Sequence, residues 1–246
     1  MNHLDTFSGI GGWALAAKWM GWETAAFVEK DAFCHKVLNK NFPGVPVHDD
    51  IFTFSALSFR GRIDILTGST PCQPFSQAGK REGSNDARHL FPEFLRVVAE
   101  CQPTWVIIEN VYGLLNIEGG RVFEAYNTSL ESEGYTVQTL CIPTSALNAP
   151  HRRDRLWIIA HAHHVRRKGR KQGVRAASTS RYDSSNMSEV FLRPSRFGND
   201  LPSPRIFRSG DGFPCGVDRI RSLGNSIVPQ IAYEIFKAIE QAELSS

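Results

Sequence analysis

The chain has no apolar run that approaches membrane-spanning length, which argues against a helical membrane protein. It has no Gly-Lys-Ser or Gly-Lys-Thr string, so a phosphate-cradling nucleoside triphosphate loop is not expected. Five cysteines, at 34, 72, 101, 141 and 215, show neither metal-ligand spacing nor a disulfide framework. No leader-like segment opens the chain, and these cysteines read as reduced thiols of a cytoplasmic protein. No internal repeat recurs at solenoid periods. The net charge of +3 is too small to mark nucleic-acid binding by itself. The last absence is local: between His161 and Tyr182 there is no acidic residue at all.

What is present is alternation. Strand-like segments fall near 2–7, 24–29, 45–51, 63–67, 105–109, 135–142 and 155–161. Helix-like segments fall near 11–20, 31–41, 87–101, 120–133 and 226–243. This order predicts an α/β fold, a mostly parallel sheet with helices on both faces. The last two strands are separated only by residues 143–153, too few for a crossover helix, so they are expected to pair antiparallel. A length of 246 residues suits one well-buried domain with a small insert.

Three strand ends carry chemistry. Ile63-Asp64-Ile65-Leu66-Thr67 leads into Gly68-Ser69-Thr70-Pro71-Cys72-Gln73-Pro74. Two prolines stiffen the loop around Cys72, which suits a thiol that must meet a substrate at a set angle. An ordinary core cysteine is the competing reading, and the polar neighbours count against it. Trp105-Val106-Ile107-Ile108 ends in Glu109, and a carboxylate at the end of a buried strand is costly unless paired or used. A solvated turn glutamate is the alternative. The N-terminal strand runs into Ser8-Gly9-Ile10-Gly11-Gly12, and the next strand ends in Glu29. Glycines admit a ligand close to the backbone, and an acid at the second strand end is placed for ribose hydroxyls. Together they point to a nucleoside-containing cofactor bound at the carboxyl ends of the strands.

At these residues the chain resembles the DNA (cytosine-5) methyltransferases. Asp5-Thr6-Phe7-Ser8-Gly9-Ile10-Gly11-Gly12, Glu29, Asp50-Ile51, Pro71-Cys72-Gln73, Leu90-Phe91, Glu109-Asn110-Val111, His151-Arg152-Arg153-Asp154-Arg155 and Gly224-Asn225-Ser226-Ile227-Val228-Pro229 follow the family's order. The resemblance covers most of the chain. It departs in three places. His151 stands where the family has glutamine. Lys30 follows the ribose-binding acid where an aromatic is common. The recognition region is short, with Asp211-Gly212-Phe213-Pro214 as a remnant of its bracing motif.

The resemblance implies an S-adenosylmethionine-dependent methyltransferase fold, Rossmann-like, with a reversed final strand. It divides the chain into a catalytic and cofactor-binding domain over 1–162, a target-recognition insert over 163–218 and a returning segment over 219–246. It implies that Cys72 is the nucleophile and Glu109 the acid, with Arg153 and Arg155 beside the base. It assigns S-adenosylmethionine to Phe7, Gly9, Gly11, Glu29, Asp50, Ile51, Leu90, Asn225 and Ser226. For Phe7, plain core packing competes; for the arginine pair, phosphate contact does. The implied product is S-adenosylhomocysteine, and no metal is needed. The histidines at 161, 163 and 164 lack cysteine or carboxylate neighbours of the kind a metal site uses. The implied partner is double-stranded DNA, with no membrane, a companion restriction enzyme within reach, and a monomeric chain. Three alternatives stay open: an RNA (tRNA) cytosine-5 methyltransferase, a non-catalytic DNA-binding protein, and a methyltransferase-like subunit whose partner supplies recognition.

The acid-free stretch carries Arg166, Arg167, Lys168, Arg170 and Lys171, with glycines at 169 and 173. A solvated basic loop and an electrostatic phosphate contact are both consistent with it. Phosphate contact is the expectation, since the run has charge but few amides to pair with bases. Neutralising these five residues should then weaken DNA binding with little sequence preference. It should also flatten the log–log salt dependence by about 0.9 per lost contact. A salt slope unchanged from wild type would mark the segment as a solvated loop.

Overall fold

The computed structural model describes residues 1–71, 90–147, 153–162, 222 and 225–245. In chain order the elements are β1 (Asn2–Thr6), α1 (Gly12–Trp19), β2 (Glu23–Val28), α2 (Ala32–Asn41), β3 (Val47–His48) and β4 (Ile65–Gly68). They continue as α3 (Leu90–Cys101), β5 (Trp105–Val111), α4 (Arg121–Ser132), β6 (Tyr135–Pro143), β7 (Asp154–Ala162) and α5 (Pro229–Ser245). The seven strands form one sheet in the order β3-β2-β1-β4-β5-β7-β6. β1 to β5 run parallel, and β7 lies antiparallel between β5 and β6. This is the methyltransferase-type sheet with a reversed last strand. The short 143–153 connection permits it because an antiparallel return needs no crossover helix.

The two-residue side-chain period of a strand divides the core. Trp105 and Ile107 of β5 point to one face, with Trp157 and Ile159 of β7, and pack with Trp13, Ile231, Ile235 and Phe236 of α1 and α5. Val106 and Ile108 point to the other, with Leu156, Ile158 and Ala160, and pack with Phe94, Val98, Tyr126 and Leu130 of α3 and α4. Helices therefore cover both faces, as the alternation of segments predicts.

The differences from the sequence expectation are local. The third strand shrinks from seven residues to Val47–His48. Asp50 explains the early stop: its carboxylate accepts the Phe52 amide at 2.9 Å and its carbonyl accepts that of Phe54, turning the chain. The C-terminal helix starts at Pro229 rather than 226, because proline suits the first helical position, where no amide donor is required. The insert over 163–218 lies outside the described residues, except that Ser222 beyond it is buried and touches Cys34.

A buried polar ladder crosses the sheet. His3, Asp5 and Thr67 are all fully buried. Thr67 Oγ1 donates to Asp5 Oδ1 at 3.2 Å, so at its 2.7 Å contact with His3 Nε2 it must accept. His3 therefore carries its proton on Nε2, and Nδ1 accepts from Thr24 Oγ1 at 3.1 Å. Burial holds the imidazole neutral, with its pKa down to about 3. Burial also raises the Asp5 carboxyl, with Thr67 opposing and Glu29 reinforcing the shift. Asp5 Oδ2 has no hydrogen-bond partner among the described residues.

A folded-state pKa below the ordinary 6.5 means that unfolded His3 takes up a proton that folded His3 refuses. Its contribution is full above pH 6.5 and declines as the pH falls. The loss by pH 5 should be about 2 kcal/mol, at ~1.4 kcal/mol per pH unit. Chemical denaturation of wild type and His3→Gln at pH 7.5 and pH 5 checks this. Identical pH dependence in the two proteins would show that His3 is not held neutral.

Candidate active site

The carboxyl ends of β1, β2, β4 and β5 lie on one edge of the sheet, and β7 starts there because it runs the other way. The strand-end residues singled out from the sequence therefore converge. At the β1 end, Phe7 has a left-handed backbone (φ 53°), rarely adopted by a side chain of that size. Gly9 follows at φ 54° with nothing within 4 Å of where a Cβ would stand, leaving open space over the turn. Gly11 caps α1, also at positive φ. Glu29 ties this turn to β2: its Oε2 accepts the Gly9 amide at 2.7 Å and its Oε1 the Asp31 amide at 2.8 Å.

The chain's end returns to the same turn. A Cβ on Gly12 would lie 2.7 Å from Ile227 Cγ1 and 3.2 Å from Ser226 Oγ, so glycine there lets residues 226–227 close against α1. Asn225 is exposed beside them. Arg153 fastens this closure, donating through Nη2 to the Ser226 carbonyl at 2.9 Å. Asp50 sits at its turn and Ile51 is buried in the core beneath it. Leu90, half-buried, opens α3 and packs on the same core.

Beyond the glycine turn, β4 and β5 end side by side, with Gly68 opposite Ile108. Alternation splits the residues that follow. Thr70 and Asn110 turn to the α4 face: Asn110 Nδ2 donates to the Thr70 carbonyl at 3.1 Å, and Thr70 Oγ1 lies 3.1 Å from the Tyr126 hydroxyl. Tyr126 is itself stacked on Phe91. Ser69 and Glu109 turn to the opposite face, where Trp13 Nε1 donates to Ser69 Oγ at 3.0 Å. The backbone leading into Pro71 is thus held from both sides.

Glu109 is buried, and its Oε1 pairs with Arg155 Nε at 2.9 Å. The two residues are diagonal neighbours, since Glu109 is opposite Trp157 and Arg155 opposite Val111. Burial raises the Glu109 carboxyl above the usual range, with Arg155, Arg153 and a Ser69 hydrogen bond opposing. Burial lowers Arg153, helped by the like charge of Arg155 and opposed by Glu109. The product is a carboxyl poised to hold a proton, beside two cations, at the mouth of a cleft.

Cys72 lies outside the described residues, as do Arg166, Arg167, Lys168, Arg170 and Lys171. Pro71 is described, and it follows the braced Ser69 and Thr70 directly. His161 stacks on Trp105 at 4.2 Å and its Nε2 is 3.8 Å from Glu243. His163 and His164 lie outside the described residues. Sequence reasoning missed the roles of Ser69, Thr70, Asn110, Trp13 and Tyr126. Ser69, Thr70 and Asn110 stand inside quoted motifs, so their polarity beside a strand end was the available signal. For Trp13 and Tyr126, inside helix-like runs, nothing local marks a hydrogen-bonding role.

Comparison with known proteins agrees with this geometry. Residues 1–192 match the C-5 cytosine-specific DNA methylase family. The Type II methyltransferase M1.ScrFI of Lactococcus lactis subsp. cremoris is 33% identical over 202 residues, covering 81% of this chain and 48% of that protein. The Type II methyltransferase M.Eco47II of Escherichia coli is 36% identical over 160 residues, covering 64% of this chain and 38% of that protein. The chain thus spans less than half the length of these two relatives. A solved structure from E. coli, described as a DNA modification methyltransferase encoded within a prophage, superposes with a TM-score of 0.56. It is 27% identical and covers 66% of this chain and 47% of that one. Another, of Spodoptera frugiperda DNMT2, shares the fold with a TM-score of 0.58 at 24% identity. The family match takes in every strand of the sheet, and the chain belongs to the C-5 cytosine-specific DNA methylases.

Proposed function

We propose that this chain transfers a methyl group from S-adenosylmethionine to C5 of cytosine in double-stranded DNA, through a covalent bond from Cys72 to a flipped base. The observation that carries the reading is Glu109, a buried carboxyl raised towards its protonated form at the end of β5, beside the strand end that leads into Pro71 and Cys72. S-adenosylmethionine fits the other half of the cleft. Gly9 leaves open space above the turn, and Glu29, bonded to the Gly9 amide, is a carboxylate placed for ribose hydroxyls. Phe7, Gly11, Asp50, Ile51, Leu90, Asn225 and Ser226 complete that pocket in this reading. The bound cofactor supplies an electrophilic methyl group.

The chain's own residues do the rest. Cytosine C5 is a poor nucleophile, and thiolate addition at C6 changes that. The Cys72 sulfur bonds to C6, the C5–C6 π electrons move to C5, and negative charge spreads to N3. Glu109 donates its proton at N3 and neutralises that charge. Arg155 only donates hydrogen bonds and occupies Oε1, so the transferable proton resides on Oε2. C5 would take the methyl group with S-adenosylhomocysteine as the leaving group; water accepts the C5 proton, the C–H electrons re-form the C5–C6 double bond and expel the Cys72 thiolate, and N3 returns its proton to the Glu109 carboxylate. Arg155 holds the acid in place, and Arg153 holds the Ser226 segment over the cofactor turn. The base must leave the duplex stack first, at a cost of a few kcal/mol. The basic run from Arg166 to Lys171 would hold the backbone meanwhile. A companion restriction enzyme fits the Type II names of the relatives.

Cys72→Ser should bind DNA carrying 5-fluorocytosine yet form no stable adduct, because fluorine blocks the elimination that frees the wild-type enzyme. An adduct that persists in that variant on a denaturing gel removes Cys72 from its role. Running the assay in parallel on tRNA separates the DNA reading from the RNA one.

Glu109→Gln should lower turnover by roughly 10²–10⁴-fold with little change in cofactor affinity, the loss expected of a general acid. For wild type, kcat should fall as the pH rises through the raised Glu109 pKa, since only the protonated form can donate. Near-normal turnover in the glutamine variant would rule out the acid role.

A further inference from the structure

The turn that follows β3 is clasped from outside by one guanidinium. Arg96, half-buried in the middle of α3, donates through Nη2 to the carbonyls of Ile51 at 2.7 Å and Phe54 at 2.9 Å. Its other nitrogens are anchored on its own helix, Nε on Glu93 and Nη1 on Glu100, both at 2.7 Å. Glu100 reaches the same segment beyond the turn: its Oε2 accepts the Ala56 amide at 2.6 Å. The turn itself is a single helical one. The Phe54 amide donates to the Asp50 carbonyl at 3.0 Å, and Asp50 Oδ1 accepts the Phe52 amide at 2.9 Å. One isolated turn is unfavourable by itself, because it fixes several dihedrals for one hydrogen bond. The carbonyls at its end have no following turn to bond them, and Arg96 supplies those donors. Below the clasp, Ile51 and Phe54 pack in the core with Phe94 and Val97 of α3.

We propose that Arg96 is a positioning residue for the cofactor: by clasping the Asp50–Phe54 turn to α3, it holds Asp50 and Ile51 in fixed relation to Leu90 at the start of the same helix. This role rests on the reading that Asp50, Ile51 and Leu90 line the S-adenosylmethionine pocket. A turn held before the ligand arrives pays its ordering cost on folding instead of on binding, and so binds more tightly. The clasp needs arginine. Its planar fork reaches two carbonyls and two carboxylates at once. A lysine would keep the charge beside Glu93 and Glu100, but its donors fan out from one nitrogen and cannot span all four acceptors.

The test compares wild type, Arg96→Lys and Arg96→Met with Val97→Ala, which trims the neighbouring core side of α3 and leaves the clasp intact. In both Arg96 variants, without ligand, the amides of Phe52, Phe54 and Ala56 should exchange hydrogen faster than in wild type. Calorimetric titration with S-adenosylhomocysteine should show a Kd raised by about tenfold, the order of cost of re-ordering a released loop on binding. In methylation assays the KM for S-adenosylmethionine should rise by a similar factor, with kcat at saturating cofactor unchanged. Val97→Ala should lose thermal stability yet bind S-adenosylhomocysteine as wild type does. An Arg96→Lys variant that binds as tightly as wild type overturns the proposal. So does a Val97→Ala variant that loses as much affinity, because any loss of stability would then suffice. A wild-type chain that binds no S-adenosylhomocysteine overturns the cofactor reading itself, and the role of Arg96 with it.

Discussion

The site depends on one buried ion pair. Glu109 is a carboxyl taken out of water at the end of β5, and Arg155, diagonally across on the reversed strand β7, pairs with it at 2.9 Å. Breaking a buried pair by removing one partner typically costs ~3–5 kcal/mol, because the remaining charge has no compensation. β7 must therefore run antiparallel and begin at the cleft. A parallel seventh strand would carry Arg153 and Arg155 to the opposite edge of the sheet. The reversed strand is in this sense part of the chemistry. It brings two cations to the edge where the other strands end, and one of them, Arg153, also fastens the C-terminal segment against the glycine turn before α1.

The same pair bears on the state of the carboxyl. Burial pushes the carboxyl up while the arginines pull it down, and burial wins. An unpaired carboxyl at this depth would be neutral but unanchored, and a fully solvated pair would stay ionised. The observed arrangement holds the carboxyl by one oxygen and leaves the other able to carry a proton. Strand alternation then serves both neighbours of the cleft. Ser69 and Glu109 share the face of α1, Thr70 and Asn110 share the face of α4, and the chain entering Pro71 is pinned between two helices. Placing functional groups on strand ends rather than on long loops keeps them registered with the sheet.

Much of this was legible in the amino-acid order. Hydrophobic periodicity is local, so it located the strands and helices of the described residues, and the short 143–153 connection was enough to foretell the antiparallel return. The strand-end positions of Phe7, Glu29 and Glu109 were legible because a strand end is marked by a few adjacent residues. The boundaries that moved did so for local reasons that outweigh periodicity: the Asp50 side-chain turn cut β3 short, and Pro229 set the start of α5.

By itself the sequence determined the α/β class, the chain order of the described strands and the family, because side-chain period, turn residues and short motifs all act over a few neighbouring residues. Only the tertiary structure decided who meets whom. That Trp13 bonds Ser69 fifty-six positions away, that Arg153 reaches Ser226, and that Arg155 rather than Arg153 pairs with Glu109 all follow from strand order, register and the parity of each side chain. A single residue of register slip would turn each of those groups to the other face of the sheet. The ladder of His3, Thr67 and Asp5 makes the same point. Three residues that look like ordinary strand positions become a neutral, directed hydrogen-bond chain only when β1 and β4 are neighbours and water is excluded from between their covering helices.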